Sequence, residues 1–208
     1  YFIDTNHLDA VPKYDAAKIE AKLEFEGRLG AEQMRDAMEA NNIDKKTIGQ
    51  IVHKYGQAFP VSYHEEYEAR QALHDIRKLE DVLATGKIRL DLYRPYNCEQ
   101  SRIRLKVYNP DKPVTLSDVL PIMEKMGFRV IAELPFEIEP NDTTQKIWIH
   151  DFLMDRQSHA DMPDVSKLKD VFEEAFTKIW YGQMENDGLN KLVLRAQMNW
   201  RDITVLRT

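Results

Sequence analysis

The sequence predicts an α+β fold in which helices pack on an antiparallel sheet. Three observations carry this. Residues 87–95 (KIRLDLYRP) and 101–110 (SRIRLKVYNP) alternate apolar and polar side chains, the period of a strand with one apolar face. Two further runs, 130–138 and 145–155, read as strands. Helical apolar spacing precedes, interrupts and follows these four segments, and runs of this kind in this order place helices against a sheet.

The elements follow in order. YFID, residues 1–4, reads as the tail of a strand, within residues 1–6. Residues 14–29 carry Ala17, Ile19, Leu23 and Phe25 at helical spacing, and 31–40 carry Met34, Ala37 and Met38. Asp44 is placed to N-cap a helix over 44–55 with Ile48, Ile51, Val52 and Tyr55 on one face. Pro60 breaks the chain, because the residue before proline is held extended. The strongest helical pattern covers 64–84, with Ala69, Ala72, Leu73, Ile76, Leu79 and Leu83 on one stripe and Gly86 as its stop.

After the first two strands, Thr115 and Ser117 offer caps for a helix carrying Leu116, Val119, Leu120, Met123 and Met126. Pro121 is read into its first turn or so, where a missing N–H costs least. The third strand is read with Val130, Ala132, Leu134, Phe136 and Ile138 on one face, and EPNDTTQ as the turn to the fourth. Leu168 to Ile179 form one amphipathic helix, and Leu189, Leu192, Val193 and Ala196 a second. Asn199 is placed to cap a last helix carrying Ile203 and Leu206. The order helix–strand–strand–helix–strand–strand over 64–154 is compatible with a ferredoxin-like unit, permuted. Three segments are expected: helical 1–60, the sandwich 61–156, and helical 157–208. Both ends read as cut from a longer polypeptide.

Composition narrows the function. A net charge of −6 with mixed acids and bases favours no nucleic-acid partner. No apolar run has the length of a membrane span. The single cysteine, Cys98, can form no disulfide within the chain, which points to a reducing, cytoplasmic setting. The chain contains neither GxGxxG nor GxxxxGK[ST], so no phosphate-cradling loop is read. The six histidines, at 7, 53, 64, 74, 150 and 159, include no HxxxH or HExxH pair, and no metal site is expected.

His150-Asp151, within QKIWIHDFLMD, has the residue types of an acid–base dyad. On a strand, neighbours point to opposite faces, so the pair reads as structural, at the end of an edge strand held by a loop or a partner domain. A small hydrolase using the two is the weaker reading. The stripe Arg102, Arg104, Lys106 reads as the solvated face of a half-wet sheet, with an anionic ligand as the alternative. The loop 109–118, NPDKPVTLSD, joins a strand to a helix N-terminus, where backbone N–H groups favour carboxylates or phosphates. Its candidate ligand residues are Asn109, Thr115, Ser117 and Asp118, and simple helix capping accounts for the same residues.

The strings KIRLDLYRP, RIRLKVYNP, LSDVLPIMEKMGFRVIAELPFEI and KIWIHDF, in that order, resemble the large bacterial NAD-specific glutamate dehydrogenases. So do KYGQAFPVSYHEEYEARQALHDIRKLE upstream and VFEEAFTKIWYGQMENDGLNKLVLRAQMNWRDITVLR downstream. The resemblance implies a middle segment with an ACT-like sandwich, upstream of the catalytic domain. It implies a parent reaction of L-glutamate, NAD and water to 2-oxoglutarate, ammonia and NADH. NAD would be bound elsewhere in that parent, and no catalytic, cofactor or metal residue is carried over to this segment. Expected partners are the catalytic domain of the same polypeptide, sister subunits of a homo-oligomer, and an amino-acid effector at the loop 109–118. The alternative is a free-standing amino-acid sensor.

Overall fold

The computed structural model describes residues 30–95, 102–157 and 164–207. The expected strand at 1–6, the expected helix at 14–29, Cys98, His7 and His159 lie outside the described residues.

A helix over residues 30–40 (α1) is followed by α2 (Lys45–Tyr55), α3 (Val61–Glu66) and α4 (Ala69–Thr85). Asp44 caps α2 as expected: its carboxylate accepts the backbone N–H of Lys46 and Thr47. The long pattern at 64–84 divides in two. Tyr67 is extended, with φ −129° and ψ 140°, and Glu68 with Gln71 closes a capping box that starts α4 afresh. The break turns the Tyr67 ring into the sheet instead of along a helix.

The strands are β1 (Arg89–Tyr93), β2 (Arg102–Pro110), β3 (Phe128–Ile138) and β4 (Ile147–Arg156), with α5 (Leu116–Lys125) between β2 and β3. All neighbouring pairs are antiparallel, in the order β1-β2-β4-β3. Taken from β2, this is the strand order of a ferredoxin-like unit whose last strand has moved to the front. Helix α6 (Val165–Trp180) follows, then a 3-10 turn (Gly188–Asn190), α7 (Lys191–Ala196) and α8 (Trp200–Leu206), which Asn199 caps as expected. Leu189 was expected on the apolar face of the α7 run. It is exposed, because the 3-10 turn rotates it outward, and Leu194 is buried with Val193 instead. Pro121 lies at the start of the second turn of α5.

The sheet is covered on both faces, which corrects the reading of a half-wet sheet. On one face Leu90, Leu92, Ile103, Leu105, Val107, Phe152 and Met154 pack under α5 and α6, with Phe128 and Phe172 edge to face at 5.5 Å. On the other, Tyr108, Phe136, Ile138, Ile147 and Ile149 pack under α1–α4 through Met38, Tyr63, Ala72, Ile76 and Leu79. Period-2 alternation shows which side chains share a face. It does not show that the second face is covered, and here four helices cover it.

β3 was expected to keep one apolar face throughout. A register shift between Val130 and Ala132 changes its phase. Phe128 and Val130 join the α5/α6 core, while Leu134, Phe136 and Ile138 join the other. Ile131, at the shift, is 45% exposed. β3 is an edge strand, where Pro135 costs no ladder bond.

Gly127 links α5 to β3 with φ +98°, and a Cβ there would meet Leu194 Cδ2 at 3.2 Å. Gly127→Ala is therefore expected to lower stability by about 1–2 kcal/mol, read from the midpoint of a urea titration. An unchanged midpoint would show that the turn relaxes freely.

Candidate functional site

Three buried carboxylates organise the face under α4. Asp75 occupies the apolar stripe of α4, between Ala72, Ile76 and Leu79, and is 1% exposed. Its Oδ2 accepts from Lys106 Nζ at 2.5 Å and from Tyr63 Oη at 2.6 Å, and its Oδ1 from Tyr108 Oη at 2.9 Å. Lys106 comes from β2 and is 3% exposed. Its ammonium lies 4.0 Å from the centre of the Tyr67 ring, with Tyr63 and Tyr93 at 5.6 and 5.7 Å.

Asp151, on β4 opposite Lys106, anchors the second cluster. Its Oδ2 accepts from Tyr67 Oη, from Tyr93 Oη at 2.5 Å, and pairs with Arg104 Nη1 at 3.2 Å. Burial and the Asp151 charge both push the Tyr67 and Tyr93 hydroxyls above their ordinary range, which keeps them protonated as donors. Tyr63 and Tyr108 are raised likewise, by burial and Asp75. Burial opposes the Arg104 charge, but Asp151 together with the Tyr67 and Tyr93 hydroxyls outweighs it and holds the guanidinium above its usual value.

Asp91, on the edge strand β1, holds the third cluster. It meets His74 Nε2 of α4 at 3.1 Å and Lys169 Nζ of α6. Lys169 also donates to the Leu92 carbonyl at 3.3 Å, and Glu173 accepts the Leu92 N–H at 2.8 Å. Tyr181 Oη accepts the Ile88 N–H at 3.1 Å. Side chains of α6 and the residue after it thus bind outward-facing backbone groups of β1 and of the residue before it. Burial raises the Glu173 carboxyl, against the lowering effect of the Leu92 N–H and Lys169.

His150 and Asp151 are separated as strand alternation requires. Asp151 faces α4, whereas His150 faces α5 and stacks between Trp148 and Phe152, each 6.1 Å away. β4 is an inner strand and not the expected edge, and both side chains are buried. Loop residue Val114 donates its N–H to His150 Nε2 at 3.1 Å, and Glu133 lies 2.6 Å from Nδ1. The accepting Nε2 places the proton on Nδ1, which donates to Glu133. Nε2 thus holds the loop, while Nδ1 is held by Glu133 of the neighbouring strand β3. His150→Phe keeps the stacking but strands the Val114 N–H, and is expected to cost about 1–3 kcal/mol in denaturant titrations. Full retention of stability would mean that the two hydrogen bonds add nothing.

In the loop 109–118, Asn109 is buried and its amide donates to the Lys112 carbonyl at 2.7 Å, while Thr115, Ser117 and Asp118 are exposed at the start of α5. The structure brings none of these four into the polar clusters. The stripe Arg102, Arg104, Lys106 is not a solvated face: Lys106 is buried against Asp75 of α4, and Arg104 meets Tyr67, between α3 and α4, and Asp151 of β4. Sequence reasoning missed Asp75, Tyr67 and Asp91. The available signal was Asp75 itself, a carboxylate set within an apolar helical stripe.

Comparisons with known proteins agree with this architecture. The ACT3 domain of glutamate dehydrogenase matches residues 87–166, its helical motif 2 matches 44–82 and its helical motif 3 matches 184–208. NAD-specific glutamate dehydrogenase of Halomonas elongata is 33% identical over 195 residues, 94% of this chain. Those of Pseudomonas aeruginosa and Mycobacterium tuberculosis are 32% and 28% identical over 76% and 74% of it. The chain spans only 12%, 10% and 9% of the lengths of these relatives. With helical motif 2, the ACT3 domain and helical motif 3 in that order, the chain belongs to the large NAD-specific glutamate dehydrogenases.

Proposed function

We propose that this chain is a non-catalytic regulatory and structural segment of an NAD-dependent glutamate dehydrogenase. The parent converts L-glutamate, NAD and water to 2-oxoglutarate, ammonia and NADH in the cytoplasm, as a homo-oligomer. NAD and the reacting groups belong to the catalytic domain of the same polypeptide. One observation carries the reading: the acid–base side chains inside the fold are spent on joining its layers. Asp75 ties α4 to β2, Asp151 ties β4 to β1, β2 and the segment before α4, and His150 ties β4 to the loop 109–118. A general base must reach a substrate proton, and these groups reach one another.

The segment acts by setting how its helices sit on the sheet, which positions neighbouring parts of the polypeptide. An amino-acid effector at the loop 109–118, with Thr115, Ser117 and Asp118 exposed beside the α5 N-terminus, would bias that arrangement. Two measurements test the reading. The chain alone is expected to form no NADH from L-glutamate and NAD. In the full-length enzyme, His150→Phe is expected to change the response to amino acids while leaving unregulated turnover near wild type. Glutamate oxidation by the chain alone would defeat the proposal.

A further inference from the structure

A cleft of about 400 Å³ opens between α4, β1 and α6, lined among others by Arg70, His74, Asp91, Tyr93, Lys106 and Lys169. It lies on the α4 side of the sheet, whereas the loop 109–118 leads into α5 on the other side. Lys106 supplies the argument. A lysine ammonium carries three N–H donors, yet among the described residues Lys106 Nζ has one hydrogen-bond acceptor, Asp75 Oδ2. The face of Tyr67 takes a second direction at 4.0 Å, and the Tyr63 and Tyr93 rings stand further off, at 5.6 and 5.7 Å. One donor is left without an acceptor on a side chain that is only 3% exposed, and a buried charge under-bonded in this way is costly.

The acidic side of the cleft is saturated and the basic side is not. Both Asp91 oxygens are taken, one by His74 and one by Lys169. Both Asp75 oxygens are taken by Lys106 and two tyrosines. Arg70 is exposed and has no hydrogen bond or ion pair among the described residues. Lys106 is paired with Asp75, and Lys169 with Asp91 and Glu173, which leaves Arg70 as the lining cation without a carboxylate among the described residues. The missing component is an acceptor with negative charge.

We propose that this cleft binds a small organic carboxylate, with the Lys106 ammonium at its inner end and the Arg70 guanidinium clamping the carboxylate from the mouth. A planar carboxylate matches the guanidinium fork in a two-point bond. One unpaired cation, Arg70, suits a carboxylate better than a phosphate dianion. His74 and Lys169 remain on Asp91 and shape the wall. This site goes beyond the regulatory reading and stands on the cleft alone.

The test is calorimetric titration of the full chain with sodium lactate, sodium succinate and inorganic phosphate, each to about 10 mM, a range that reveals even millimolar affinity. Wild type is expected to bind at least one of the carboxylates saturably. Arg70→Ala, at an exposed position, is expected to keep the wild-type Tm and to weaken that binding about tenfold. Lys106→Met is expected to abolish it, and Arg70→Ala decides the matter if Lys106→Met does not fold. No saturable binding, binding of phosphate without either carboxylate, or carboxylate binding unaltered in Arg70→Ala would each overturn the proposal. A parallel Asp118→Ala variant is expected to bind as wild type, since that residue lies in the loop 109–118. Loss of binding in that variant alone would move the site to the loop and overturn the cleft assignment.

Discussion

Asp75→Ala is expected to lower stability by about 3–5 kcal/mol, which is the scale for breaking a buried ion pair from one side. The lysine it leaves behind is 3% exposed, with only tyrosine rings around its ammonium. Lys106→Met strands the Asp75 carboxylate in the same way, although Tyr63 and Tyr108 still donate to it, so its cost should be somewhat smaller. The informative variant is the double one. Asp75→Leu with Lys106→Met replaces the pair by apolar groups of similar volume, and such exchanges are often neutral or stabilising. We expect the double variant to recover most of the loss, giving, with Asp75→Leu and Lys106→Met as the single variants, a coupling of about 2 kcal/mol or more in a double-mutant cycle by urea denaturation. Additive losses would show that the two residues act separately, despite lying 2.5 Å apart.

Asp151→Ala should be comparably damaging, at about 3–5 kcal/mol, because one oxygen serves three donors at once. Removing it leaves Arg104, Tyr67 and Tyr93 pointing at an empty space between β4 and the segment that precedes α4. Asp151→Asn keeps an acceptor of the same size and removes the charge. It should cost about 1–3 kcal/mol, the value of the charge-assisted component. Near-ultraviolet circular dichroism reads the same event locally, since two of the three donors are tyrosines. If Asp151→Ala changed neither stability nor that spectrum, the cluster would be ornament and the layers would be held by apolar packing alone.

Much of the fold was legible because it is written in spacing. The helices α2, α5, α6 and α8 and all four strands lie where apolar periodicity puts them, and Asp44 and Asn199 cap as their residue type predicts. Spacing alone failed where a side chain had a tertiary partner. Tyr67 breaks a helical pattern that continues on both sides of it, because its hydroxyl reaches Asp151, 84 positions away. The β3 bulge hides in an unbroken alternation, since a phase change keeps every second residue apolar until one is counted twice. The basic stripe on β2 looked solvated because nothing local announces that α4 brings Asp75 over it.

The same limit applies to the candidate site. Asp75, Asp91 and Asp151 come from a helix and two strands separated by long stretches of sequence, and their partners come from four further elements or loops. No short motif could carry that information. Family resemblance did identify the family, because it draws on long contiguous strings; it offered nothing about the interlayer polar contacts.

The bulge in β3 has a consequence for how the molecule comes apart. One strand holds Phe128 and Val130 in one core and Leu134, Phe136 and Ile138 in the other. Neither helical layer can therefore lift away without dragging a strand that the opposite layer also grips. Amides of β3 and β4 should exchange with solvent only through opening of the whole unit, with no partial release of either side. A displacement imposed on the helices of one layer then becomes strain in the other. The rigid continuity needed to carry a mechanical signal across the sheet would come from one strand that changes sides midway.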